Sequence, residues 1–372
     1  RVLIYSGSLK LSGVMTWYLQ MQAAFMKLGA DTVLLVASAR TDVHPPGRVF
    51  YTDKPRRAAH LRVARWLWLH KIFPRWFMAE EARILDMRVQ KILANLGWSN
   101  HIDAVVKNLP NPVPECLKAF PVIGVLHNVV PPGWLSGDKQ AALRQAVADT
   151  RHIVAVGQAT AHHGKQAGLT LSNVIFNPLN IADIRQKSQA YTPDIHRPYI
   201  LFAGRITADK GVHELLQAFA LLKEDVDLCY VGSGAGAGFH LQLALLREAA
   251  ATLKVSDRVH FAGFQVNPYP WMRRAKLLVM PSMWDGEAMG YVAVEACALG
   301  CGIVVTDFPA SRDFFMDEVI VSRQPLENFA ARLAERISQA MAETAPRGIK
   351  PGVLESMEPV TVARQYLALA AS

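Results

Sequence analysis

ILFAGRITADKGVHELLQAF, residues 200–219, reads as one complete strand–loop–helix unit. An apolar run over 199–203 predicts a buried strand, Gly204 ends it, and Val, Leu and Phe recur at helical spacing over 212–222. Between strand and helix, Arg205 and Lys210 stand on the loop, with Gly211 at the helix entry. In a doubly wound sheet, ligands bind at the carboxyl ends of the strands. Two cations on a loop leading to a helix N-terminus suit a diphosphate; an ordinary loop with two solvated charges is the other reading.

The same alternation runs outward in both directions. Downstream it predicts strands at 227–231, 259–261, 277–280 and 303–306, with helices at 239–252 and around Glu295. Upstream it predicts strands at 1–6, 32–37, 104–107, 122–126 and 152–156, a loop over 7–13, and a helix over 14–28 that stops at Gly29. Strands separated by helices point to parallel sheets covered on both faces. Residues 176–198 are polar, carry Pro178, Pro193 and Pro198, and lack an apolar period, so a linker is expected there. The division is then an N-terminal Rossmann-like domain over 1–178 and a second over 179–354, facing a central cleft. The amphipathic 355–372 segment is expected to pack back on the first domain.

The bulk numbers agree. A chain of 372 residues suits two cores, and 51% hydrophobic against 19% charged residues describes a folded, aliphatic-rich protein. No apolar stretch reaches membrane-spanning length, and no signal-peptide pattern precedes the first strand. Cys116, Cys229, Cys297 and Cys301 lack zinc-ligand spacing and fit core packing in a reduced cytoplasmic compartment. The net charge of +9 is uneven: up to Pro178 there are 21 Lys and Arg against 10 Asp and Glu, and afterwards 19 against 21. The first half is therefore expected to face something anionic.

MPSMWDGEAMGYVAVEACALG, residues 280–300, carries a second cluster. Pro281, Ser282, Asp285 and Gly286 break the strand before it, and a helix is expected from Glu287 until Gly300. Glu287 and Glu295 stand eight apart, one at the loop mouth and one two turns on. Carboxylates that hold hydroxyls, beside helix-start N–H groups that hold an anion, suit a nucleotide sugar.

FAGRITADKG, YVGSG (230–234), VHFAGF (259–264) and the 280–300 segment stand in the order and spacing of family 4 glycosyltransferases, and the chain resembles them closely over 200–307. It is most similar to the bacterial enzymes that extend the lipopolysaccharide core, N-acetylglucosamine transferases among them. The resemblance implies the GT-B fold and a retaining, metal-independent reaction with no bound cofactor. Arg205 and Lys210 would clamp the donor diphosphate of a UDP-sugar, and Glu287 would bind hydroxyls of the transferred sugar. The backbone of Ala288, Met289 and Gly290 would meet sugar or phosphate oxygens, Glu295 the ribose, and the backbone at Phe264 the base. Gly232 and Gly234 would let the chain turn close to the donor, although a plain loop reads the same way. In the first half Gly13 matches the glycine loop that approaches the phosphate, with Ser12 where a second glycine often stands and Lys10 nearby. His127 matches a histidine placed near the transferred sugar, or is a satisfied structural residue. Asn177 matches the hinge asparagine. Met289 stands where phenylalanine is usual, Gly302 where proline is usual, and Phe308–Ser311 replaces a glycine pair. These departures bear on which sugar is carried.

Residues 54–76, KPRRAAHLRVARWLWLHKIFPRW, hold seven Lys and Arg and no acid, interleaved with Trp66, Trp68, Phe73 and Trp76. A basic aromatic helix suits an anionic membrane surface or an anionic lipid-linked acceptor; a helix packing its tryptophans into the core is the alternative. Nothing else supports nucleic acid. The expectation is a hexosyl- or N-acetylhexosaminyltransferase on the inner face of the cytoplasmic membrane, moving sugar to a lipid-linked saccharide. Asp225 and Asp227, the only DxD of the second half, precede their strand, the wrong end for a metal. A GT-B isomerase of the UDP-N-acetylglucosamine 2-epimerase kind would need acid–base residues and no acceptor site. A non-catalytic nucleotide-sugar-binding protein would not need all of Arg205, Lys210, Glu287 and Glu295.

Overall fold

The structure is a computed structural model, and it describes residues 1–6, 13–37, 47–52, 60, 61, 65, 69–109, 111–130, 143, 144, 146–234, 237–343 and 348–372. The chain divides into two compact units, Arg1–Pro178 with Met357–Ser372, and Leu179–Ser356.

Among the described residues the first unit holds seven strands: β1 (Val2–Ser6), β2 (Thr32–Val36), β3 (Arg48–Tyr51), β4 (Ala104–Asn108), β5 (Val122–Leu126), β6 (His152–Ala155) and β7 (Asn173–Val174). They lie in the order β3-β2-β1-β4-β5-β6-β7, all parallel, with Val2 opposite Thr32 on one side and Ala104 on the other. β1, β2 and β5 are buried along their whole length, as strands covered on both faces must be. The helix Gly13–Lys27 covers one face through Trp17, Met21 and Phe25. On that helix packs Pro359–Ala371, with Tyr366 6.0 Å from Trp17 between ring centres. The helix Pro74–Leu96 starts on a proline and stops where Gly97 turns left-handed (φ 68°) and donates to Ala94 O at 3.0 Å.

The second unit repeats the plan with β8 (Tyr199–Ala203), β9 (Asp227–Val231), β10 (Val259–Gly263), β11 (Leu277–Met280), β12 (Gly302–Thr306) and β13 (Ile320–Val321). Its order is β10-β9-β8-β11-β12-β13, again parallel throughout. Counted from the first strand of each unit, both sheets contain the order 3-2-1-4-5-6 of a doubly wound nucleotide-binding sheet. The core forms where Val212, Leu215, Leu216 and Phe219 of the helix Val212–Ala220 meet Ile200, Phe202, Leu228 and Tyr230. Leu333 and Ile337 of the helix Phe329–Ala342 close the same cluster.

Two expectations change. The supposed linker contains the helix Ile181–Lys187, whose N-cap Asn180 accepts from Asp183 N at 3.1 Å. A seven-residue helix is too short to show an apolar period. The helix expected from Glu287 begins only at Tyr291, because Gly290 is left-handed (φ 68°) and sets a new start. Among the described residues no helix is long and apolar enough to cross a membrane.

Candidate active site

In the second unit the strand order reverses between β8 and β11, and the loops carrying the cations and the first carboxylate leave from the carboxyl ends of those two strands. That reversal is where a doubly wound sheet opens a crevice. On the β8 side of it the strand ends are glycine. Gly204, Gly232 and Gly263 end or follow β8, β9 and β10 with φ of 148°, 145° and 70°. Gly232 N donates to Gly263 O at 2.8 Å, and a Cβ on Gly232 would lie 1.8 Å from Gly204 O. Gly234 is constrained differently, since Phe239 fills the space where its side chain would go.

Lys210 and Glu287, 77 residues apart in sequence, meet here. Lys210 Nζ donates to Glu287 Oε2 at 2.5 Å, and both side chains are only about one-sixth exposed (17% and 16%). The two loops are zipped together behind the pair: Met283 N donates to Asp209 O at 2.9 Å, and a Cβ on Gly211 would stand 1.9 Å from Pro281 O. Trp284 lies over the ammonium, 4.9 Å from ring centre to Nζ, a cation–π contact. Buried Ser282 brings its Oγ to 3.5 Å from Glu287 Oε2, and its carbonyl accepts from Thr306 Oγ1 at 2.6 Å. An ammonium that can hold an anion and a carboxylate that can hold hydroxyls are thus nearest neighbours. Arg205 is exposed and reaches Asp209 at 3.4 Å, on the same loop.

Beyond Glu287 the side chains of Ala288 and Met289 are buried, so it is the backbone of this stretch that borders the loop. A Cβ on Gly290 would lie 2.6 Å from Met280 Cε and 3.4 Å from the Phe308 ring. Phe308, one of the unusual residues of this chain, therefore packs where only glycine fits opposite it. Glu295 sits in the second turn of the helix Tyr291–Ala298, buried, and accepts from the Tyr269 hydroxyl at 3.1 Å. Burial pushes its carboxyl up to about 7, against the hydrogen bond from Tyr269, which pulls it down. Phe264 is exposed just past Gly263. Asp227 opens β9 at the opposite, amino end of the sheet, held by His260 at 2.8 Å and Arg197 at 3.2 Å.

In the first unit Gly13 is the first residue of the helix Gly13–Lys27, and Ser12 and Lys10 lie outside the described residues. His127 follows β5 and is buried; the Asn177 side chain hydrogen-bonds it, and Trp17 packs edge-on at 5.0 Å. Burial pushes its imidazole down to about 3, so the ring is neutral at physiological pH. Its Nε2 is buried and has no hydrogen-bond partner among the described residues. Most of the 54–76 segment lies outside the described residues, but Phe73 and Trp76 are 56% and 49% exposed rather than in a core.

Sequence reasoning passed over Trp284, Tyr269 and Lys107. Lys107 is fully buried at the end of β4, where Nζ donates to Asn111 O at 2.8 Å and Ala146 O at 2.9 Å. A lysine closing an apolar strand gives a signal, but its partners are carbonyls, which carry no residue signature.

Residues 183–347 match the family model described as glycosyl transferases group 1. Among curated proteins the chain is similar to the lipopolysaccharide core biosynthesis glycosyltransferase LpsE of Rhizobium meliloti, 32% identical over 181 residues, 47% of this chain and 50% of that one. It is also similar to the N-acetylgalactosamine-N,N'-diacetylbacillosaminyl-diphospho-undecaprenol 4-alpha-N-acetylgalactosaminyltransferase of Campylobacter jejuni, 29% identical over 39% of this chain and 38% of that one. The chain spans half or less of the length of these relatives. Among solved structures it is similar to HepE of Anabaena in complex with UDP, with a TM-score of 0.67 at 18% identity, covering 100% of this chain and 99% of that one. WaaG, a glycosyltransferase involved in lipopolysaccharide biosynthesis, gives 0.60 at 15% identity, covering 100% and 95%. At such identities the likeness is one of fold, the GT-B fold of two parallel-sheet α/β domains.

Proposed function

We propose that this chain, whose residues 183–347 are a group 1 glycosyltransferase domain, moves a hexose or N-acetylhexosamine from a UDP-sugar to a hydroxyl of a lipid-linked saccharide, with retention. The observation that carries the reading is the contact of Lys210 with Glu287 beside the bare glycine backbone at the strand-order reversal. Lys210 meets the diphosphate, Glu287 accepts from sugar hydroxyls, and Glu295 accepts from the ribose. The UDP in the HepE complex and the lipopolysaccharide and undecaprenol substrates in the relatives' names support the donor and acceptor classes.

In the reaction the bond from the anomeric carbon to the phosphate oxygen breaks, and the electron pair leaves with the diphosphate. The acceptor hydroxyl attacks from the same face, and its proton passes to the departing phosphate oxygen. No protein nucleophile and no cofactor take part. Lys210 and Arg205 offset the charge growing on the leaving group, which is where electrostatic catalysis acts most. The protein works at the cytoplasmic face of the membrane, held by its basic first half.

A thermal-shift screen of UDP, GDP, ADP and CMP with their common sugars, without divalent metal, tests the reading. A selective rise with UDP and one UDP-sugar is expected, since ligand at about 100 times its Kd adds about 2.7 kcal/mol. No response to any nucleotide overturns it. Lys210→Ala is expected to lower kcat by about 100-fold or more, the loss typical of a transition-state charge contact, and to cost kcat far more than it costs fold stability.

A further inference from the structure

The loop that presents Glu287 is held by a residue far along the chain. Glu287 N donates to Trp284 O at 3.3 Å and closes a four-residue turn, Trp284–Asp285–Gly286–Glu287. The indole fills the inside of that turn, so that a Cβ on Gly286 would lie 2.4 Å from its ring carbons. From outside, the turn is gripped by Arg323, two residues past β13. Its Nη1 donates to Asp285 Oδ1 at 2.8 Å and to Met283 O at 3.2 Å. The same guanidinium binds Asp307, just past β12, through Nε to Oδ1 at 3.1 Å and Nη2 to the carbonyl at 3.2 Å. Arg323 N also donates to Asp307 Oδ1, at 2.9 Å.

One planar side chain thus ties the carboxyl ends of β12 and β13 to the loop after β11. The Asp307 bonds alone would satisfy its charge. The two further bonds go to Met283 and Asp285, which flank Trp284 and precede Glu287 by four and two residues. Asp285 itself is mostly exposed, and Arg323 is its only ion-pair partner among those the structure shows.

We propose that Arg323 is a positioning residue: it fixes the turn from Trp284 to Glu287, and with it the carboxylate that meets the donor's sugar. The proposal rests on the donor-site reading above. Because Arg323 acts on the sugar-facing loop rather than on the base or ribose positions, it discriminates UDP-sugar from UDP. A guanidinium fork is required, since an ammonium is a point charge that cannot hold Asp285 and Asp307 in one plane.

Arg323→Ala, Arg323→Lys and Asp285→Asn test this, with calorimetric titration of UDP and of UDP-glucose, UDP-galactose and UDP-N-acetylglucosamine. The wild type comes first: if it binds none of these, the donor-site reading fails before any variant is made. Where it binds, Arg323→Ala should weaken the preferred UDP-sugar about tenfold, the worth of one charge-assisted hydrogen bond, and leave UDP within about twofold. Asp285→Asn should show the same split at about threefold, and Arg323→Lys should fall between wild type and Arg323→Ala. Asp285 is exposed, so its variant carries the test if Arg323→Ala does not fold. Equal losses for UDP and UDP-sugar, or unchanged UDP-sugar affinity in the folded variants, overturn the proposal.

Discussion

Glu295 shows how burial would make a proposed binding residue pH-dependent. Its carboxyl is raised from the usual 4.5 to about 7, because the folded protein strips it of water. Between about 4.5 and 7 the folded state holds more protons than the unfolded state, so this group's contribution favours folding at low pH and is lost as pH rises through 7. A ribose that donates two hydroxyls needs the ionised form, and binding must pull the proton off. The affinity for UDP-glucose should therefore rise about tenfold from pH 6 to pH 8, as expected for a group half ionised near 7. UDP-glucose is the ligand of choice because its diphosphate diester does not titrate in that range. Glu295→Gln should bind more weakly and lose the slope; a slope that survives in this variant assigns it to another group. The residues of this candidate site that were legible in the sequence are the charges on the loops after β8 and β11 and on the helix that follows: Arg205, Lys210, Glu287 and Glu295. Trp284, Tyr269 and Arg323 were not. Tyr269 stands 26 residues from its partner Glu295, and Arg323 stands 38 from Asp285. Such pairings are set by which strands become neighbours, and the local pattern is silent on that.

At the level of the element, the two sheets were readable wherever strands are central and apolar, because burial on both faces leaves a continuous hydrophobic run. The edges were not. β3, β7 and β13 have four, two and two residues, too few for any period to register. The glycines at strand ends could be seen, but their burden could not. Gly232 combines a left-handed φ of 145° with a carbonyl 1.8 Å from where a Cβ would sit, so an alanine must move two loops. Gly300, at the end of the helix Tyr291–Ala298, also has a positive φ, 78°, but nothing lies within 4 Å. Gly232→Ala is thus expected to cost about 2–4 kcal/mol, strain plus overpacking, and to abolish UDP binding. Gly300→Ala should cost only about 1–2 kcal/mol, the intrinsic penalty of the left-handed conformation, and bind UDP normally. Urea denaturation of the two variants measures both; similar costs would mean that the loops after β8 and β9 yield freely.

Over the whole molecule, the cationic excess and the tightest run of exposed large apolar side chains among the described residues fall in the same unit. The excess of 21 cations over 10 acids lies before Pro178, in the unit that also exposes Ile72, Phe73, Trp76 and Met78 within seven residues. Trp76 and Met78 belong to the start of the helix Pro74–Leu96, and the opposite side of that helix is committed, since Phe77 and Ile84 are buried with Leu61. Four large apolar side chains left in water beside basic sequence suit a bilayer with anionic headgroups. Each cation near such a surface contributes about 1 kcal/mol, and each aromatic ring withdrawn from water about 1.5–3 kcal/mol. The sum of a few such contacts gives reversible attachment, which is what the proposed activity on lipid-linked acceptors would need. The protein should therefore float with vesicles of phosphatidylcholine and phosphatidylglycerol, and much less with phosphatidylcholine alone. Salt at 1 M, where the Debye length falls to about 3 Å, should release most of it. Phe73→Ser with Trp76→Ser should lower the flotation about tenfold or more while leaving UDP affinity unchanged, because both residues belong to the first unit and the proposed nucleotide residues Lys210, Glu287 and Glu295 to the second. If the double variant floats like the wild type, the rings are not the anchor, and the arginines between 56 and 65 become the next substitutions to make.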